Sequence, residues 1–493
     1  MGTRPRELFS RGELSACIRA AENSTLLEER IVAVYALERL GRYGDALSAI
    51  SVIEVTSSDE RTLLRSVEAE CHLLKGSVAT GRRILAELWE PPAAPEARFE
   101  LAYAKMLLGW IEGDPDKMEA ALGGLDVKPY PHLYARWLVG RSWIASLRRD
   151  YHEQLRFLEK AVRYLMESPG AQDVTLLATA TRSMVHLVRE IPAPQAFDVA
   201  VRAVELIAWT PDIEQERFLT FRGLAWAYAL RGLHQTALHY AYFARDIAPS
   251  NMWVTACYAD QAYLARMASE DWSADALLRH AVACAHEIEW ISPSEERVAI
   301  LNLVELAADR DPSVARGLLD LYAAIPVSLS PRLALAHDER MRAMEEYARG
   351  TVPSVSRDQI HATELLQSSY SIFTSIGYAW RAAAAALRLN VVTGERAWLR
   401  LAAEAVEGFP ESSVANEIRR KAAFFEDPRV ASLTPAQRRV YDLLREGLGD
   451  KEIAAALRLS PETVKNHAAR VRAAFGVRSR AALVAASQRR QAG

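Results

Sequence analysis

The stretch Phe218–Asn251, FLTFRGLAWAYALRGLHQTALHYAYFARDIAPSN, decides how the rest of the chain is read. Leu224 and Tyr228 stand one helical turn apart and face inward on a first helix, because side chains three and four positions apart share a face. Gly232 turns the chain. Ala237 and Ala244 supply small contacts on a second helix, and Pro249 ends it. Working outward by the same rule, helix-to-helix turns fall at Gly41, Gly76, Gly113, Arg149, Ile191, Gly232, Asp271, Arg310, Arg357 and Gly394. Apolar residues at spacings of three and four recur from about residue 8 to residue 425, and strand alternation is nearly absent. The expected fold class is all-α.

The 34-residue unit resembles the tetratricopeptide repeat, whose first helix carries large residues and whose second carries small ones so that the two approach closely. Ten such hairpins over residues 1–425 predict an α-solenoid. Stacked hairpins bury their apolar faces against one another and curve, so the concave surface is the expected seat of a protein or peptide ligand. A plain spacer or dimer scaffold is the other reading of the repeats. Trp110, Trp137, Trp143, Trp226 and Trp253 sit at helical spacing and read as packing residues.

Charge is divided unevenly along the 493 residues. Residues 433–493 hold 12 Lys+Arg against 5 Asp+Glu, a balance of +7, while residues 1–432 hold 48 against 58, a balance of -10. A short basic terminal unit points to nucleic acid. Four cysteines without a CxxC pair read as buried thiols in a reducing compartment. No signal-peptide core follows Met1, and the apolar string Ala382–Ala386 is flanked by Arg381 and Arg388. A cytoplasmic protein with no membrane contact is expected.

Enzymatic signatures fail one by one. None of the eight lysines follows a glycine, which excludes a P-loop. His152-Glu153 begins an HExxH motif, but Arg156 stands where the second histidine belongs. His280 and Cys284 share a helix face, yet two ligands make no metal site, and both read as core residues. No GxSxG elbow is present. The sequence predicts neither a catalytic residue nor a cofactor.

The last 60 residues carry the specific signal. A helix of about 412–425 and the breaker at 426–428 lead to Thr434-Pro435, where Thr434 caps a helix and Gln437 completes a capping box. That helix buries Val440, Leu443 and Leu444 and stops at Gly447. A second runs from Asp450 to Leu457. Ser460 caps a third that opens at Pro461 and reaches about Ala474, with Val464, Ala468, Val471 and Phe475 inward. Lys465, Asn466, Ala469, Arg470 and Arg472 then face outward. A short helix, a tight turn and a longer helix fit the helix-turn-helix arrangement. Lys465 and Asn466 suit guanine and adenine edges; Ser460, Thr463, Arg470 and Arg472 suit phosphates.

The runs Leu433-Thr-Pro, Glu446-Gly-Leu, Lys451-Glu-Ile-Ala454, Ser460-Pro-Glu-Thr-Val-Lys-Asn-His467 and Phe475-Gly-Val-Arg-Ser-Arg-Ala-Ala-Leu483 closely resemble the LuxR-type (FixJ/NarL-type) DNA-binding domain. The resemblance implies a four-helix unit over 433–493, joined by a linker at 426–432 to the repeats. It places Thr463 to Arg470, His467 and Ala469 among them, in the major groove of double-stranded DNA, with Lys451 among the DNA contacts. It assigns a homodimer contact to the final helix, at Ala482, Leu483 and Ala486. Gln437 and Arg439 depart from the family's usual Glu, and Ala469 from a frequent Lys or Arg. The whole chain resembles the carboxyl half of the large MalT-like LuxR regulators, without their ATP-binding module. The function implied is a bacterial transcription regulator whose repeats sense a protein, peptide or small-molecule signal. The alternative is a repeat-based adaptor whose terminal domain contacts protein. The acidic repeats also have the charge to mask the basic domain.

Overall fold

A computed structural model describes residues 4–22, 24–248, 251–286, 295–324, 339–352, 359–425, 428–457 and 459–488. Among the described residues every regular element is a helix. Eleven hairpins follow one another: α1/α2 (Pro5–Ser10, Leu14–Ala21), α3/α4 (Leu27–Arg39, Tyr43–Ser51), α5/α6 (Ser58–Lys75, Val78–Glu87), α7/α8 (Pro95–Glu112, Pro115–Leu122), α9/α10 (Pro131–Leu147, Tyr151–Glu167), α11/α12 (Val174–Glu190, Pro194–Ile207), α13/α14 (Glu214–Ala229, His234–Asp246), α15/α16 (Asn251–Met267, Asp271–Ala285), α17/α18 (Glu295–Ala308, Pro312–Ala324), α19/α20 (Glu339–Thr351, Gln359–Ser375) and α21/α22 (Ala379–Thr393, Arg396–Ala405). The single helix α23 (Ser413–Phe425) ends this tetratricopeptide-like solenoid.

Local chemistry explains the hairpins. Ser57 and Glu60 form a capping box at the start of α5, Asp150 caps α10, and Pro95 opens α7. Ala237 and Ala244 are buried on α14, as the small-residue pattern requires. Where α13 crosses α11, a Cβ on Gly223 would lie 2.5 Å from Val185 Cγ1, so only glycine lets these backbones meet.

Two turns differ from the sequence reading. The α15/α16 turn lies at Ser269, φ 62°, two residues before Asp271, which already belongs to α16. A left-handed serine costs more than glycine there, so Ser269→Gly is expected to stabilise the fold by roughly 0.5–1 kcal/mol, read from a urea midpoint. Second, α1/α2 turns at Gly12 and adds a hairpin before the first expected one. The turn expected at Arg357 lies outside the described residues.

The solenoid closes on itself. Ser15 on α2 donates through its amide to Asp212 Oδ2 at 2.8 Å, 197 residues away. Tyr151 lies 5.6 Å from Tyr378, and the Trp226 ring stacks on Trp380 at 5.7 Å. Arg149 pairs with Glu339. Arg231 lies over Phe197 at 4.0 Å and over Phe409 at 5.7 Å, beside Pro192 and Gly408, which are also in contact. The last hairpins thus rest on the middle of the repeat array, and part of the surface between successive turns is covered by the chain itself.

Buried charges also link the hairpins. Arg136 on α9 donates two hydrogen bonds to Glu100 on α7, and Tyr35 on α3 donates to the same carboxylate at 2.9 Å. Farther along, Asp260 accepts from Arg222 Nε at 2.7 Å and from Trp226 Nε1 at 3.0 Å. Cys17, Cys71 and Cys257 are buried, and burial pushes the Cys257 thiol up to about 12. His280, expected in the core, is instead exposed and stacks on Tyr258 at 5.7 Å, while Cys284 is half-buried. Its helix face points outward at that turn. No helix among the described residues is long and apolar enough to cross a membrane.

Candidate nucleic-acid interface

The chain after α23 continues as α24 (Pro428–Ala431), α25 (Pro435–Arg445), α26 (Asp450–Leu457), α27 (Pro461–Ala474) and α28 (Arg480–Gln488). Thr434 and Gln437 form the capping box of α25: the Thr434 amide donates to Gln437 Oε1 at 2.9 Å, and the Gln437 amide donates to Thr434 Oγ1 at 3.4 Å. The amide of Gln437 therefore does the capping work that a glutamate would do there. Val440, Leu444, Ile453, Val464, Ala468, Val471 and Phe475 make one core, with Tyr441 stacked on Phe475 at 4.8 Å. Val430 of α24 joins that core, and Arg429 lies 4.6 Å over the Phe475 ring. Apolar packing of this unit thus begins three residues before Leu433.

Helix α27 packs on α25 and α26 and turns its other side to solvent. Its start is built by Ser460, whose Oγ accepts from the Thr463 amide at 3.0 Å and shares a 2.7 Å hydrogen bond with Thr463 Oγ1. One hydroxyl proton of this pair remains for an outside acceptor, since only one of the two is used between them. Lys465, Asn466, Ala469 and Arg470 are exposed in the full chain; Thr463, His467 and Arg472 are half-buried. His467 Nδ1 is buried without a hydrogen-bond partner within the protein. Lys451 is exposed in the first turn of α26. The residues expected at a nucleic-acid surface therefore gather on the solvent side of α27 and at its approach. Glu462 was not among them, yet it is exposed on the same side, its Oε2 3.9 Å from Lys465 Nζ. The i,i+3 spacing from Lys465 was the signal for it.

The final helix corrects one expectation. Leu483, expected at a dimer contact, is 0% exposed and sits in the domain's own core, where α28 meets α25. A side chain committed there has no surface left to offer a partner. Ala482 is half-buried, its amide donating to Ser479 Oγ at 3.1 Å. The side chain of Ala486 lies outside the described residues.

A short helix, a turn and a longer helix presenting cations to solvent define a helix-turn-helix domain. Residues 431–487 match the family model described as bacterial regulatory proteins, luxR family, and the C-terminal unit is a luxR-type helix-turn-helix domain. Proteins of Mycobacterium bovis and of Mycobacterium tuberculosis strain H37Rv, both named as HTH-type transcriptional regulators, are 48% identical over 59 residues. That is 12% of this chain and 7% of each relative, so the chain spans a small part of their length. Among solved structures, the human IFIT1 dimer with PPP-AAAA is 15% identical, with a TM-score of 0.37, covering 86% of this chain and 95% of that one. Yeast Tom70 is 13% identical, with a TM-score of 0.34, covering 87% and 90%.

Proposed function

We propose that this chain is a DNA-binding transcription regulator, whose residues 433–493 dock α27 in the major groove and whose residues 1–425 receive a protein, peptide or small-molecule signal. The observation that carries the reading is the solvent-facing side of α27, where Lys465, Asn466 and Arg470 stand exposed on a luxR-type domain. Lys465 and Asn466 have the donors that guanine and adenine edges accept, and Arg470 and the Ser460–Thr463 hydroxyls suit phosphates. Binding as a homodimer, through the final helix to which the resemblance assigns that contact, would place two half-sites about one helical turn or a multiple apart. In this reading the repeats act on a DNA-facing helix that stands open in the full chain rather than by covering it.

The test is fluorescence anisotropy of the full-length protein with promoter DNA at several salt concentrations. Affinity is expected to fall steeply with salt, through release of counterions from the phosphates. Arg470→Ala should weaken binding to all sequences alike and lower the salt slope by about one unit. Binding that ignored salt would contradict the DNA reading and favour a protein-contacting adaptor.

A further inference from the structure

We propose that Glu462 and Lys465 act as a pair that reads a single G·C base pair, Lys465 taking the guanine and Glu462 the cytosine. The inference rests on the docking of α27 in the major groove and adds which base pair it selects and by which atoms. Both side chains project from the first two turns of α27, Lys465 with 67% and Glu462 with 73% of its side chain exposed, and their charged ends lie 3.9 Å apart. A hydrogen-bond donor and an acceptor are thus presented side by side.

The major-groove edge of a G·C pair is the complement of that arrangement. Guanine offers two acceptors, N7 and O6, to the ammonium, and cytosine offers its N4 amino group to the carboxylate. O6 and N4 are hydrogen-bonded to each other, so they lie about 2.9 Å apart, within reach of a 3.9 Å donor–acceptor pair on flexible stems. A T·A pair in the same orientation keeps the signs but gives Lys465 one acceptor, thymine O4, in place of two. A reversed C·G pair sets the N4 amino group against the ammonium and O6 against the carboxylate, and both contacts repel. The expected order is therefore G·C first, T·A second and C·G last.

An acidic residue in a helix's first turn also complements the helix dipole, and that role by itself reads no base. Selection from randomised DNA by the full-length wild type, Glu462→Gln and Lys465→Ala separates the two roles. All the altered side chains are exposed, so the fold is retained. In the wild type, G·C should exceed C·G at one position by on the order of tenfold. Both variants should lose that preference at the same base pair and keep the others. An unchanged Glu462→Gln profile with uniformly altered affinity would reduce Glu462 to a helix-start charge and overturn the inference, as would a change at a different base pair from that of Lys465→Ala. If the wild type retained no DNA at all, the DNA reading of the domain would fail, and the pair with it; retention without sequence preference would overturn the pair alone.

Discussion

Trp380→Ala is expected to lower the stability of the repeat region by about 3–5 kcal/mol, the range for emptying a fully buried aromatic site. Trp380 is 0% exposed on α21, stacked on Trp226 of α13, with the Arg381 guanidinium 3.9 Å over its ring. It lies in a core that also holds Leu230, Leu387, Leu399 and Phe409, drawn from hairpins in the middle and at the end of the array. Truncation leaves a cavity between two turns of the solenoid rather than within one hairpin, so neighbours can close it only by shifting whole helices. The measurement is clean because all 11 tryptophans precede residue 425. Tryptophan fluorescence in a denaturant titration therefore reports the repeats alone. Trp209→Ala, at a side chain 87% exposed, is the control and should leave the midpoint in place. DNA affinity should be unchanged in the Trp380 variant, since Val440, Val464 and Phe475 form a separate core. A Trp380 midpoint equal to the control's would show that contact between the turns adds nothing to stability.

That contact between turns was the part of the fold the sequence did not disclose. Helical periodicity and turn glycines located Gly41, Gly76, Gly113, Gly232 and Gly394, all of which adopt positive φ. Ser269 escaped because a serine in the left-handed region leaves no compositional mark. The first hairpin escaped because helices of 6 and 8 residues show too few periods. Whether Trp380 buries itself against the next hairpin or against one a full turn away is invisible in its spacing, since both demand the same apolar face. Helix α27 was legible to the residue: Ser460-Pro461 begins it and Ala474 ends it. Resemblance gave Leu483 a role by its position, but only packing shows that its side chain points inward. The charge imbalance found the basic domain, yet a whole-region count of -10 hid opposite charges buried together within the repeats.

Those buried charges set the second large expectation, Glu100→Ala, which should destabilise the repeats by about 3–5 kcal/mol, because it leaves Arg136 without its counter-charge in the interior. Tyr35 would lose its acceptor as well. Glu70 on α5 should behave in the opposite way. It is 2% exposed, and its Oε1 has no hydrogen-bond partner within the protein. Burial holds its carboxyl well above the usual range, and the Glu100 and Glu38 carboxylates push the same way against the Arg136 and Arg39 guanidiniums. An unfolded glutamate titrates near about 4.3, so the folded chain binds this proton more tightly than the unfolded one. The stabilisation from holding it is complete below about pH 4.3 and is lost as pH rises through the folded value. Glu70→Gln has no proton to lose. Its urea midpoint should therefore exceed that of the wild type at about pH 8 by more than at about pH 5, and the pH dependence of stability should flatten. A Glu70→Gln chain less stable than the wild type by the same amount at both pH values would mean that Glu70 is ionised and paired with Arg136 or Arg39, and that the interior cluster balances its charges without a bound proton.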